Sequence, residues 1–107
     1  FAIGHIEYGN PTDPVEAEWL RAINPVDNVK PADYPAILVT AGENDPRCPT
    51  WHARKFVDLV QRAQTGDAPI LLRIYGGQGH GAAGLGATAA QAADWLAFAA
   101  HATGLAL

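Results

Sequence analysis

Two continuous apolar runs organise this chain. Ala36-Ile37-Leu38-Val39-Thr40-Ala41 is closed by Gly42, and Pro69-Ile70-Leu71-Leu72-Arg73-Ile74-Tyr75 is ended by Gly76-Gly77. Short β-rich runs of this kind, lacking strict alternation, predict strands buried on both faces of a parallel sheet. Between them, Trp51, Phe56, Leu59 and Val60, with Ala53 and Ala63, recur at helical intervals, so a helix is expected from Thr50 to Ala63 with Thr50 as its cap. An earlier helix is expected from Pro14 to Ile23, because Val15, Trp19, Leu20 and Ile23 share a face, Asp13 can cap, Pro14 suits the first turn and Glu16 completes a capping-box spacing. Asn24-Pro25 ends it, and Pro25, Pro31 and Pro35 mark the next stretch as a surface connection. Thr88 and Gln91 form a second capping-box spacing ahead of Ala92, Trp95, Leu96, Ala99 and Ala100, with Gly104 as a stop signal. The order helix, strand, helix, strand, helix is that of an α/β fold with a parallel sheet, and two strands leave that sheet incomplete.

Composition adds limits. At 107 residues, 49% of them hydrophobic, the chain can bury a core but lies at the low end for one domain, as expected of a piece of a larger one. A net charge of −4 with only seven Lys and Arg argues against nucleic acid as a partner, since displacing phosphate counterions takes clustered cations. No apolar run approaches the roughly 20 residues that span a bilayer, so no membrane partner is expected. The opening Phe1-Ala2-Ile3-Gly4-His5 has neither a basic n-region nor an initiator Met, so the start of the protein is expected upstream. The one cysteine, Cys48, cannot form an internal disulfide, and cytoplasm and periplasm are both allowed.

The polar residues with chemical potential follow the two predicted strands. Asp45 lies in Gly42-Glu43-Asn44-Asp45-Pro46-Arg47 and His80 in Gly79-His80-Gly81, both at strand carboxyl ends, where open α/β sheets place their sites. A carboxylate there can fix the tautomer of a histidine that shuttles a proton, but such a pair needs a nucleophile and the chain contains no serine. The order acid then histidine suits an α/β-hydrolase whose serine lies upstream of Phe1. Arg47, two positions past Asp45, could anchor a substrate carbonyl or carboxylate. Each residue also has an ordinary reading: Asp45-Pro46 as a turn, His80 in a Gly-rich turn, Arg47 as a surface cation. Gly77-Gln78-Gly79-His80-Gly81-Ala82 matches the dinucleotide pattern G-x-G-x-x-A, but its helix is expected only at Thr88, too late for a pyrophosphate, and no cofactor is expected. Cys48, His52 and Asp45 lack the spacing of zinc ligands, so no metal is expected, and His5 and His52 read as loop and helix histidines.

Glu7-Tyr8-Gly9-Asn10-Pro11, Asn24-Pro25-Val26-Asp27-Asn28-Val29-Lys30, Tyr34 to Thr40 and Asp45 to Phe56, with the final Gly79-His80-Gly81, together resemble the C-terminal end of the prolyl oligopeptidase family of serine peptidases. The resemblance runs through nearly the whole chain, with the segments in the family's order. It implies that residues 1–107 are a C-terminal fragment of a catalytic α/β-hydrolase domain, with Asp45 and His80 as members of a Ser-Asp-His triad and Arg47 holding a substrate backbone carbonyl. It further implies an upstream catalytic half with the serine and oxyanion hole, a β-propeller, and short peptides cleaved after proline. Three positions depart from the family pattern: Asn24 replaces a serine, Cys48 replaces a valine, and the segment between His5 and Glu7 lacks a tryptophan. A related α/β-hydrolase esterase or aminopeptidase is the nearest alternative, and a non-catalytic binding module or inactive remnant is an alternative of another class. The sequence upstream of Phe1 separates all three.

Overall fold

The computed structural model describes Gly4 and residues 7–105, so His5 and the Ile6 position, where the family's tryptophan is lacking, lie outside what is described. The chain divides after Lys30 into two compact units.

The first unit holds helix α1, Pro14–Ile23, and a single-turn helix α2, Pro25–Asn28, where the prolines had predicted only a surface connection. Proline fits the first turn of a helix because the N–H it lacks would be unsatisfied there anyway. Pro25 therefore starts a helix as well as ending one. Asp13 caps α1 as expected, with Oδ1 accepting from Val15 N at 2.8 Å and Glu16 N at 3.0 Å. The reciprocal arm of the capping box goes elsewhere: Glu16 Oε2 accepts from Asn10 N at 2.6 Å. Gly9, at φ 113°, turns the preceding chain past Glu16. Asn24 Oδ1 accepts from Val26 N at 3.3 Å, capping α2. Asn28 Nδ2 donates to the carbonyls of Arg21, Ala22 and Asn24 at 2.9, 3.1 and 2.8 Å, closing the end of α1. Two asparagines four residues apart thus satisfy the backbone groups of one helix end and one helix start.

The second unit is a βαβ crossover followed by a long helix. Strand β1, Ile37–Gly42, pairs in parallel with β2, Ile70–Tyr75, in a register that runs from Ile37 opposite Ile70 to Gly42 opposite Tyr75. Helix α3, Thr50–Ala63, links the strands and packs on both, burying Val57 and Val60 over the sheet. Thr50 begins α3 but makes no capping bond; Pro49, extended at φ −52° and ψ 144°, leads the chain in. At the far end Gln64 gathers the loops. Its side chain accepts from Tyr34 N at 2.8 Å and Gly66 N at 3.1 Å, and donates to Tyr34 O at 2.9 Å and Ala68 O at 3.0 Å.

Helix α4, Leu85–Thr103, starts three residues before the capping signal at Thr88. Gly84, at φ 87°, supplies the turn into it, and Thr88 Oγ1 donates back to Gly84 O at 3.0 Å instead of capping. Gly104, in the left-handed conformation, ends it as expected. Neither strand is buried on both faces: β1 is half-buried throughout, and β2 exposes Leu71 and Arg73. The reason is the spacing of α4, which leaves a cavity of about 550 Å³ against the sheet, lined by Leu38, Leu71, Leu72 and Phe98 among others. Arg73 Nε reaches Asp94 of α4 at 3.0 Å across that face, an exposed ion pair of small value. No helix among the described residues is long and apolar enough to cross a membrane.

Because Gln64 satisfies both backbone groups of Tyr34 while holding the turn before β2, Gln64→Ala should destabilise the second unit by about 1–3 kcal/mol. A lower urea midpoint at unchanged m-value checks it; an unchanged midpoint would show that water replaces the amide without loss.

Candidate active site

The two loops that leave the sheet on its carboxyl side are forced together by a missing side chain. A Cβ built on Gly42 would lie 2.1 Å from Gly79 O and 2.8 Å from Gln78 O, distances no real side chain tolerates. Only glycine at the end of β1 lets the loop after β2 cross so closely. Three hydrogen bonds then lace the loops: Glu43 N to Tyr75 O at 3.0 Å, Asn44 N to Gln78 O at 2.8 Å, and Gly77 N to Glu43 Oε2 at 2.8 Å. Within the second loop, Gly77 and Gly81 take positive φ values of 68° and 97°, Gly79 bridges Gly81, and Gln78 Oε1 accepts from Ala83 N at 2.9 Å.

This lacing sets His80 beside Asp45. His80 Nδ1 lies 2.8 Å from Asp45 Oδ2. The other carboxylate oxygen, Oδ1, accepts from the backbone N–H groups of Arg47 at 2.8 Å and Cys48 at 2.9 Å, so the turn Asp45 to Cys48 fixes the carboxylate from behind. The Asp45 side chain is only 8% exposed, whereas that of His80 is 50% exposed. One member is held and the other faces solvent. The Cys48 N–H foremost, with the His80 imidazole and the Arg47 N–H, holds the Asp45 carboxyl below the usual carboxylate range against the opposing effect of burial. An ionised Asp45 accepting from Nδ1–H leaves Nε2 of a neutral His80 free to take a proton.

Arg47 is exposed, and among the described residues its guanidinium has no ion-pair partner. His52 stacks on Trp51 with ring centroids 3.6 Å apart. The spatial cluster is a different one from that weighed in the sequence: Asp45 and Cys48 gather with His80 and not with His52, their ligating atoms all within 4.8 Å of one another. The Gly-rich loop also departs from dinucleotide geometry, because its helix begins only at Leu85. The large cavity against α4 is lined by strand and helix residues and holds neither Asp45 nor His80. Glu43 carries no motif of its own in the sequence; its one local signal is an acid directly after a strand, ahead of a glycine-rich loop whose N–H groups can donate to it.

The family model for the prolyl oligopeptidase family matches residues 1–106. The chain belongs to the prolyl oligopeptidase family. It is 36% identical over 102 residues to a prolyl endopeptidase of Elizabethkingia meningoseptica, an alignment covering 92% of this chain and 14% of that protein. A solved structure from a structural and mechanistic study of two prolyl endopeptidases matches with a TM-score of 0.84 at 34% identity, covering 98% of this chain and 14% of that one. Oligopeptidase B from Leishmania major matches with a TM-score of 0.71 at 34% identity, covering 75% of this chain and 11% of that one. The fold is accordingly a portion of the α/β-hydrolase fold, with two parallel strands of an open sheet, and the family is one of peptidases. The chain spans about one seventh or less of the length of these oligopeptidase relatives.

Two expectations follow from the geometry. Gly42→Ala must push the loops apart, costing about 1–3 kcal/mol as overpacking does, and should remove the low-field imidazole proton resonance expected of the Asp45–His80 hydrogen bond. Retention of that resonance at wild-type stability would show that the close approach is dispensable. The second concerns acid. Because the folded carboxyl of Asp45 titrates below its unfolded value of about 3.9, its stabilisation is present above that value and lost as pH falls through the lower folded one. Asp45→Asn should therefore flatten the loss of urea stability on acidification below about pH 4; an unaltered acid limb would show that Asp45 contributes nothing there.

Proposed function

We propose that this chain is the C-terminal part of a catalytic domain and supplies the acid and the base of a serine peptidase. The observation that supports this most is the 2.8 Å contact between His80 Nδ1 and Asp45 Oδ2, with Oδ1 tied to two backbone N–H groups. In this reading a serine from upstream sequence gives its proton to His80 Nε2 as it attacks the peptide carbonyl. Asp45 keeps the imidazole in the tautomer that leaves Nε2 free and stabilises the imidazolium that forms. His80 then returns the proton to the departing amine. Membership of the prolyl oligopeptidase family favours short peptides cut after proline, and a β-propeller in the complete protein that limits entry. Arg47, exposed two residues beyond Asp45, anchors a substrate backbone carbonyl through its forked donors.

Alanine substitutions in the complete enzyme test this, assayed on one proline-containing peptide and one small activated ester. His80→Ala removes the proton shuttle and should lower kcat by roughly three or more orders of magnitude with little change in binding. Asp45→Ala keeps the shuttle but loses tautomer control, so its loss should also fall on kcat and be smaller. Arg47→Ala should lower kcat/KM for the peptide and spare the ester, which does not reach the guanidinium. Near-normal peptide turnover by His80→Ala would remove the triad assignment, and equal losses on both substrates would remove the anchoring role of Arg47.

The chain by itself should show no peptidase activity, because it has no serine and, in this reading, the oxyanion-hole donors that stabilise a tetrahedral intermediate come from upstream sequence. Thr40 lies within β1 and Thr50 begins α3, and neither is presented on a strained elbow. Incubating the purified 107-residue chain with a chromogenic proline peptide settles this point; steady turnover would contradict it.

A further inference from the structure

Asp45, Cys48 and His80 bring an oxygen, a sulfur and a nitrogen ligand atom within 4.8 Å of one another, from two loops 35 residues apart in sequence. Carboxylate, thiolate and imidazole are the three ligand types that hold zinc, and three protein ligands with a water in the fourth position make a complete tetrahedral site. We propose that this cluster binds a thiophilic divalent cation, zinc in the first instance, and that the bound cation takes the place of the hydrogen bond between Asp45 and His80.

The geometry asks for little movement. Bonds of about 2.0–2.1 Å to nitrogen and oxygen place two tetrahedral ligands about 3.4 Å apart, against the 2.8 Å that now separates His80 Nδ1 from Asp45 Oδ2. The His80 side chain is half exposed and Cys48 is exposed, so both can turn to close the remaining gap. Asp45 need not move. Its Oδ1 is already oriented by the N–H groups of Arg47 and Cys48, the kind of outer support that holds a ligating carboxylate in place. The turn that carries the acid also carries the thiol, since Asp45 and Cys48 lie three residues apart with Cys48 N bonded to Asp45.

Binding has a defined proton balance. The Cys48 thiol gives its proton to solvent and becomes the thiolate ligand. His80 binds through Nδ1, the nitrogen that faces Asp45, so its own proton moves to Nε2. A histidine in that state can neither donate to Asp45 nor accept a proton at Nε2. The cation would therefore switch off any general-base role of His80. That consequence rests on the peptidase reading; the binding itself rests on the cluster alone.

Cobalt(II) titration of the chain, used as the spectroscopic stand-in for zinc, tests the proposal without an activity assay. The expected result is a single-site isotherm with a thiolate-to-cobalt charge-transfer band in the near ultraviolet, displaced by zinc, together with loss of the low-field His80 Nδ1–H resonance on adding zinc. Cys48→Val, close to cysteine in size, should abolish the band and weaken zinc binding by more than about tenfold, and His80→Ala should weaken it similarly. His52→Ala should leave both unchanged. Zinc should also slow alkylation of Cys48 in the unsubstituted chain, a readout that holds even if a variant fails to fold. Cobalt bound without the charge-transfer band, equal zinc affinity in Cys48→Val, or an unprotected thiol would each overturn the site.

Discussion

The close approach at Gly42 is the constraint on which the rest of the site depends. Parallel pairing brings the carboxyl ends of β1 and β2 side by side, but pairing alone leaves the two departing loops free to diverge. The absence of a side chain at Gly42 lets the second loop cross over the end of the first. Backbone bonds at Glu43 and Asn44, and the Glu43 carboxylate on Gly77 N, then fasten that crossing. Asp45 and His80 meet because of what happens three residues before one and one to three residues before the other.

Within that frame the two side chains are treated unequally. Asp45 is enclosed, ionised and bonded on both oxygens, while His80 stands at the rim with its ring half in solvent. Holding Asp45 and leaving His80 accessible suits the proposed role of His80, facing a group brought by another part of the protein. The same openness and the same fixed carboxylate create the opportunity for a metal, because Cys48 sits on the turn that orients Asp45. In the proposed readings, proton transfer at Nε2 and cation binding at Nδ1 would exclude one another, because a metal on Nδ1 leaves the ring proton on Nε2.

The apolar surface is distributed in keeping with a portion of a larger sheet. Val57 and Val60 are buried where α3 crosses both strands, yet Leu71 on β2 and Trp95 and Leu96 on α4 remain exposed. With one strand neighbour and a helix that stands off the other face, the sheet buries one side well and the other poorly. Chain length relative to the oligopeptidase relatives agrees with this, at 14% or less of each.

Sequence alone determined the elements whose signals are local. The apolar runs located both strands to within a residue, the helical spacing located α3, and Asp13 and Gly104 marked the start of one helix and the end of another, because period and capping depend on near neighbours. It also singled out Asp45 and His80, since both follow strands and parallel strands share a carboxyl edge. Where the local signal had a competitor it misled. Pro25 began a helix, Gly84 opened α4 a turn ahead of Thr88, and Glu16 bonded Asn10 in place of its capping partner. The 2.8 Å contact between His80 and Asp45, the bracing by Glu43, and the gathering of Cys48 with that pair while His52 stacks on Trp51 were decided only in three dimensions. Each depends on the distance between atoms more than 30 residues apart or on the direction of a side chain, and neither is encoded in spacing along the chain.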